Sequence, residues 1–336
     1  MTQRVSIVRL APQIGLLLGG IALGVALVIL LLHSVNLSQL GADFHQVNYA
    51  LLVLALVFFA INLGMKVPRW ALLLGDDAPD WDTLFGAINV GYAVNTLLPL
   101  RLGDLVRAYW VRDRAGIPMV RALSTIALER VADGVTVLIL FLVLAPTVAF
   151  PAALRGSALA AGGLFIAVLL FMLLLAYNAS RDTRFSRLLV RIEQSRLSIV
   201  GQIIRQIAAG LRTLRSGRAV ALLTLYTAII WGSNAVLLWL VIRAFHLNAP
   251  FAAGVLGNAV VSLGMTVPST PGYIGLFDYL IVVTLGLYGV SRTPALAAAL
   301  VFHAIAFVPV TLIGVVYIAR TGVRLTAEML RASATR

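Results

Sequence analysis

The chain has 336 residues, 61% of them hydrophobic and 12% charged, with a mean hydropathy of +0.99 and a formal charge of +13. A soluble domain carries about a quarter charged residues, so an ordinary soluble fold is excluded and the fold class is an all-α polytopic membrane protein. The absence of cysteine excludes disulfides, Cys-ligated metals and thiol nucleophiles, and four scattered His without HExxH spacing leave no zinc motif.

The positive charge lies in short blocks between apolar runs, as in positive-inside loops, so no nucleic-acid partner is expected. Every basic residue except Lys66 is Arg. Arg suits bidentate phosphate contacts, and codon bias yields the same composition.

In chain order, residues 1–12 carry Arg4 and Arg9, and the apolar run at about 14–32 is long enough to cross a ~30 Å hydrocarbon core. No small-residue cleavage site follows it, so it reads as an uncleaved first helix with a cytoplasmic N-terminus. The loop 33–48, without Lys or Arg, fits the outside, and a second span at about 49–65 returns to Lys66 and Arg69 inside, read as markers of the cytoplasmic boundary with headgroup contact as their second role. Asp76, Asp77, Asp80 and Asp82 form an acidic turn suited to solvation and helix capping.

The run 86–100 is apolar but short, holds Asn89, Gly91, Asn95 and Pro99, and is followed by Arg101, Asp104, Arg107, Arg112 and Arg114. So many Arg on one side predict a hairpin, about 84–118, that enters from the cytoplasm and returns; such a broken backbone must be buried in protein or line a wet cavity. A span at about 120–144 carries Glu129, Arg130 and Asp133, and 146–156 is an outside turn. The run 158–177 returns inward, and 179–218 is an Arg-rich segment with helical apolar spacing, read as a cytoplasmic interfacial helix or a plain linker. A span at 219–245 crosses outward, about 251–290 forms a second hairpin broken by Pro268, Pro271, Gly272 and Gly275, and 295–318 crosses back to Arg320 and Arg324.

The expectation is therefore one integral membrane domain over 1–336, with a first half 1–178 and a second half 219–336. It has about six full spans plus two broken or re-entrant hairpins, or eight spans if the second hairpin crosses. Both termini are then cytoplasmic. Asn89 and Asn258 lie ten residues before Pro99 and Pro268, and Gly103 and Gly272 four residues after them. With hairpins of opposite orientation, this suggests an inverted repeat with a site at the midplane between them.

Charges inside such spans each cost about 3 kcal/mol on insertion scales and need partners. Glu129 and Asp133, four apart, share one helical face, with Arg130 turned about 100° away; that face is expected to meet Arg101 or Arg107. Arg101 and Arg107 also match a lipid phosphate as planar forks, so two roles stay open: binding a headgroup, or pairing with the protein's own carboxylates. Asp278 is placed at a helix start, where it caps or takes a proton- or headgroup-linked role. Asn95 is expected to satisfy broken backbone, and His303 to be a hydrogen-bonded packing residue. No GxSxG, metal cluster or phosphate-cradling loop supports enzyme chemistry, and no cofactor or metal is expected.

The blocks Pro99-Leu100-Arg101-Leu102-Gly103-Asp104-Leu105-Val106-Arg107, Leu128-Glu129-Arg130-Val131-Ala132-Asp133 and Pro271-Gly272-Tyr273-Ile274-Gly275-Leu276-Phe277-Asp278 resemble, in that order, the signatures of the lysylphosphatidylglycerol synthase transmembrane-region family, whose members are also called flippase-like domain proteins. The family pattern has Glu where this chain has Asp104 and Asp278, and often Gly where it has Tyr273. The resemblance implies a domain that moves lipids between leaflets, here expected without the aminoacyl-transferase domain of the fused synthases. The expected function is thus a prokaryotic inner-membrane lipid translocase with substrate-binding residues Asn95, Arg101, Asp104, Arg107, Glu129, Arg130, Asp133, Gly272, Gly275 and Asp278. The expected partners are membrane lipids with an anionic or polar headgroup, and a lipid-modifying enzyme. The alternatives are a non-transporting membrane partner or scaffold of a lipid-modifying or glycosyl-transferring enzyme, and a membrane-embedded transferase.

Overall fold

A computed structural model describes residues 11–33, 35–98, 102–144, 216–266 and 269–321. The expected outside turn at 146–156, the return span at 158–177 and nearly all of the basic segment 179–218 lie outside the described residues, as do Pro99, Arg101 and Pro268. The described residues form ten α-helices and no strand, the all-helical membrane class that the composition demands. In order these are α1 (Ala11–His33), α2 (Leu37–His45), α3 (Tyr49–Leu74), α4 (Trp81–Leu97), α5 (Gly103–Ala115), α6 (Met119–Leu144), α7 (Gly217–Ala244), α8 (Phe251–Gly264), α9 (Leu276–Gly286) and α10 (Arg292–Thr321).

Among the described residues, three segments are long and apolar enough to cross a membrane: Tyr49–Asp77, Gly217–Ala244 and Arg292–Thr321. Helices α1 and α2 make a pair bent by 85° that passes the same test when taken together. Their outward faces are apolar, with Val53, Val57 and Ile61 on α3 and Val308, Leu312 and Val315 on α10 all exposed, as expected where lipid rather than water is the solvent. Helix α6 has 26 residues but carries Glu129, Arg130 and Asp133 in its middle, so its inner face needs partners. The expected hairpins are present as α4–α5 and α8–α9. At 1.5 Å per residue, the 14 residues of α8 and the 11 of α9 reach only about 21 Å and 17 Å, short of a ~30 Å core.

Both breaks are built by close approach. Residues Gly91 and Gly103 bring α4 against α5 so tightly that a Cβ on Gly103 would collide with the Gly91 carbonyl oxygen, and the Asn95 side-chain oxygen accepts the Gly103 N–H at 2.8 Å. Asn95 therefore satisfies broken backbone, as expected. In the second break Gly272 (φ 66°), Tyr273 (φ 58°) and Gly275 (φ 85°) all adopt positive φ. For Tyr273 the left-handed backbone is unfavourable by about 1–2 kcal/mol. Its ring is buried and lies 5.8 Å from Phe307, so packing offsets the strain. The acidic turn caps as predicted: Asp80 accepts the Thr83 N–H at 3.0 Å and, through those Thr83 hydrogen bonds, is held below the usual carboxylate range.

Among the described residues, α3–α6 and α7–α10 each run long helix, hairpin of two shorter helices, long helix. The longest interface joins α3 to α7, α4 packs on α10, and α8 packs on α6, so equivalent elements of the two halves exchange partners. One apolar core joins α7, α9 and α10, and another joins the end of α3 to α4 and α5. Between them lies a cavity.

Candidate functional site

Residues Asn62, Lys66 and Arg69 recur at helical spacing along one face of α3. The sequence reading ends this span at 65, because 17 apolar residues suffice to cross a core; the helix instead runs to Leu74. Lys66 and Arg69 thus lie within α3 rather than at its end. Arg69 is only 4% exposed, so it needs carboxylates, and α6 supplies them. Arg69 donates to both oxygens of Asp133, at 2.6 and 3.3 Å, and its Nε lies 3.6 Å from Glu129. The second Glu129 oxygen is 3.0 Å from Arg107 on α5, and the Arg107 guanidinium sits 4.1 Å from the centre of the Trp70 ring.

Glu129 and Asp133 share one face, as their spacing predicts, and Arg107 meets that face. Arg130, turned away on the same helix, instead forms a fork on Asp104, with Nη2 at 2.8 and 3.1 Å from the two carboxylate oxygens. Trp231 on α7 donates from Nε1 to Asp133 at 3.1 Å. The result is a chain of charges, Asp133, Arg69, Glu129, Arg107, Asp104 and Arg130, joining α3, α5 and α6. Breaking a buried ion pair is costly because it leaves a charge uncompensated; here each carboxylate has at least one guanidinium, although the Nε atoms of Arg69 and Arg107 are buried without a hydrogen-bond partner.

The cavity, of about 450 Å³, has unequal walls. Lys66, Arg69, Asp104, Arg130 and Asp133, with Tyr92 and Asn95 from α4, make its polar side. Tyr273, Phe277, Phe302 and Phe307 make its apolar side. Amides from α7 and α8 lie between, where Asn234 donates to Asn258 at 2.5 Å. The Lys66 ammonium donates to the Tyr92 hydroxyl at 2.8 Å and lies 4.6 Å from the centre of that ring.

Of the residues singled out from sequence, Asn95, Asp104, Arg107, Glu129, Arg130 and Asp133 are brought together, whereas Arg101 is outside the described residues. Arg107 and Glu129 do not line the cavity: they pair with each other behind its wall. Of the two roles left open for Arg107, the structure shows the pairing with the protein's own carboxylate, Glu129, with the Trp70 face beneath the guanidinium. Gly272 approaches the first hairpin at Thr96, so the two breaks do meet. Gly275 and Asp278 lie behind that contact: Asp278 accepts the Gly275 N–H at 3.2 Å and caps α9. Its other oxygen is 2.9 Å from His303 Nδ1, while His303 Nε2 is 2.9 Å from the Gly272 carbonyl. The expected packing residue thus ties the second hairpin's break to α10.

Sequence reasoning missed Lys66, Arg69, Tyr92, Trp231 and the Asn234–Asn258 pair as site residues. The available signal was the Asn62, Lys66, Arg69 stripe on an otherwise apolar helix.

Comparison with known proteins agrees in kind. The model of a family described as the lysylphosphatidylglycerol synthase TM region matches residues 17–314. The chain is 26% identical to the glycosyltransferase AglD of Haloferax volcanii, over 91% of this chain and 53% of that protein. It is 22% identical to a UPF0104 membrane protein of Methanocaldococcus jannaschii, over 66% of this chain and 92% of that protein. The chain thus spans about half the length of the glycosyltransferase relative. No solved structure matches it.

Proposed function

The chain belongs to the lysylphosphatidylglycerol synthase transmembrane-region family, and we propose that it works as a lipid translocase of the prokaryotic cytoplasmic membrane. One observation carries this: a cavity between two broken hairpins with a charged, hydrogen-bonding wall on one side and an aromatic wall on the other. A headgroup needs the first and an acyl or prenyl chain tolerates the second, so one lipid satisfies both. Pre-paired charges cost less to keep in the membrane than isolated ones, and they can hydrogen-bond a passing headgroup without being created for it. In the orientation set by the Arg-rich loops, both termini are cytoplasmic and the first hairpin opens inward.

The test is leaflet exchange in proteoliposomes, with fluorescently tagged phosphatidylglycerol quenched from outside by dithionite. Purified protein should carry the tagged lipid to the quencher at least several times faster than protein-free vesicles. Exchange at the protein-free rate would overturn the proposal.

A second reading has one observation of its own. A relative is named a glycosyltransferase, and this chain matches about half of it, which suits a non-transporting membrane partner of a lipid-modifying or glycosyl-transferring enzyme. Copurification with such an enzyme, together with absent exchange, would favour it.

A further inference from the structure

We propose that the cavity selects a lipid phosphodiester with one net negative charge, and that Lys66 is the residue that holds it; this rests on the cavity's being a lipid site. Lys66, Arg69 and Arg130 line the cavity with Asp104 and Asp133. Arg69 is matched by Asp133 and Arg130 by Asp104. Behind the wall Arg107 is matched by Glu129. Among the described residues of this cluster, four cations therefore face three carboxylates, and the unmatched cation is Lys66, whose neighbours are the hydroxyl and ring of Tyr92.

A partly buried ammonium without an anion is incompletely compensated. Its three donors leave two beyond the one given to Tyr92, enough for a phosphate's non-bridging oxygens. Asn95, also lining the cavity, has committed its oxygen to Gly103, so its amide N–H groups remain to donate beside it. A phosphodiester supplies one negative charge and neutralises the cluster. A zwitterionic headgroup brings no net charge, and an aminoacylated one adds a cation to a site already one positive charge in excess. The two latter classes should be discriminated against, including the lysyl lipid that the family's name suggests.

Lys66 is the sole lysine of the chain, which makes the proposal directly readable. Reductive 13C-methylation labels it and the amino terminus, and Lys66→Arg identifies its signal. In detergent, phosphatidylglycerol should shift the Lys66 signal and change the fluorescence of Trp231, which also lines the cavity. Phosphatidylcholine should bind at least about tenfold more weakly, and lysyl-phosphatidylglycerol no better than phosphatidylcholine, as expected for loss of one charge-assisted contact. Lys66→Gln should abolish the preference, and Lys66→Arg should keep most of it.

Equal binding of the anionic and zwitterionic lipids by the wild-type protein would overturn the proposal, as would an unchanged preference in a folded Lys66→Gln protein. Soluble glycerol phosphate competing at the same concentration as the lipid would overturn its lipid half. Selective binding without leaflet exchange would refute translocation and leave this inference standing. Exchange that ignores headgroup charge would do the reverse.

Discussion

Replacing Glu129 by Gln isolates what the buried charges contribute. The carboxylate lies 3.0 Å from Arg107 and 3.6 Å from Arg69, and all three side chains are at most 7% exposed. At such a distance and an effective dielectric of ~20, one attraction is worth roughly 5 kcal/mol before desolvation. Removing one partner of a buried pair costs about 3–5 kcal/mol net, because the other charge stays buried. Gln keeps the volume and one acceptor oxygen, so charge is lost without a cavity. Asp133 still holds Arg69, so the deficit falls on Arg107, whose remaining carboxylate, Asp104, is 3.9 Å away. We expect a loss of about 3 kcal/mol, measured by chemical unfolding in detergent micelles. Adding Arg107→Gln should recover most of it by removing the orphaned charge, a coupling of about 2 kcal/mol or more. A Glu129→Gln protein within about 0.5 kcal/mol of wild type, or a double variant whose losses simply add, would refute the reasoning.

Gly103→Ala should destabilise by about 1–3 kcal/mol, since the added methyl meets the Gly91 carbonyl and the Asn95 side chain; a thermal melt in detergent checks it, and an unchanged midpoint would mean that α4 and α5 can part freely. His303→Phe keeps the stacking on Phe277 and Phe307 but strips the contacts to Asp278 and Gly272, so about 1–3 kcal/mol should be lost and proteolysis should speed up at 267–275. Trp231→Phe removes the donor to Asp133; a stability loss of about 1 kcal/mol is expected, with the Arg69–Asp133 pair retained. Green fluorescent protein fused after Arg336 should fluoresce and alkaline phosphatase at the same place should be inactive; the opposite pattern would invert the proposed orientation.

The helices were legible because long apolar runs admit few alternatives, and the two breaks because Pro and Gly interrupt such runs at 99–103 and 268–275. The facing of Glu129 and Asp133 followed from their spacing alone, and so did the separate direction of Arg130. That α3 continues past Lys66 and Arg69 escaped the sequence for a physical reason. A cation after 17 apolar residues looks the same whether the helix ends there or continues past it, and only carboxylates arriving from a helix some 60 residues later distinguish the two. Tyr273 shows the converse. Its positive φ is disfavoured for the residue itself, and the turn forms because the ring of Phe307 stands beside it, a contact that no local pattern encodes.

The two hairpins are matched in build and unlike in chemistry. The first shares in the charge chain through Asp104 and Arg107. The second brings one carboxylate, Asp278, and closes it on His303 and the Gly275 amide, so it offers the cavity aromatic surface rather than charge. A headgroup in the proposed site would therefore find its polar contacts on α3, α4, α5 and α6. A rearrangement that opens the cavity to the other leaflet preserves those contacts only if the second hairpin moves relative to them. The positive-φ residues Gly272, Tyr273 and Gly275 lie at that hairpin's break, which is tied to α10 through His303 and through the Tyr273 ring on Phe307. In the proposed translocation, the hairpin that brings no free charge to the cavity is therefore the one expected to move.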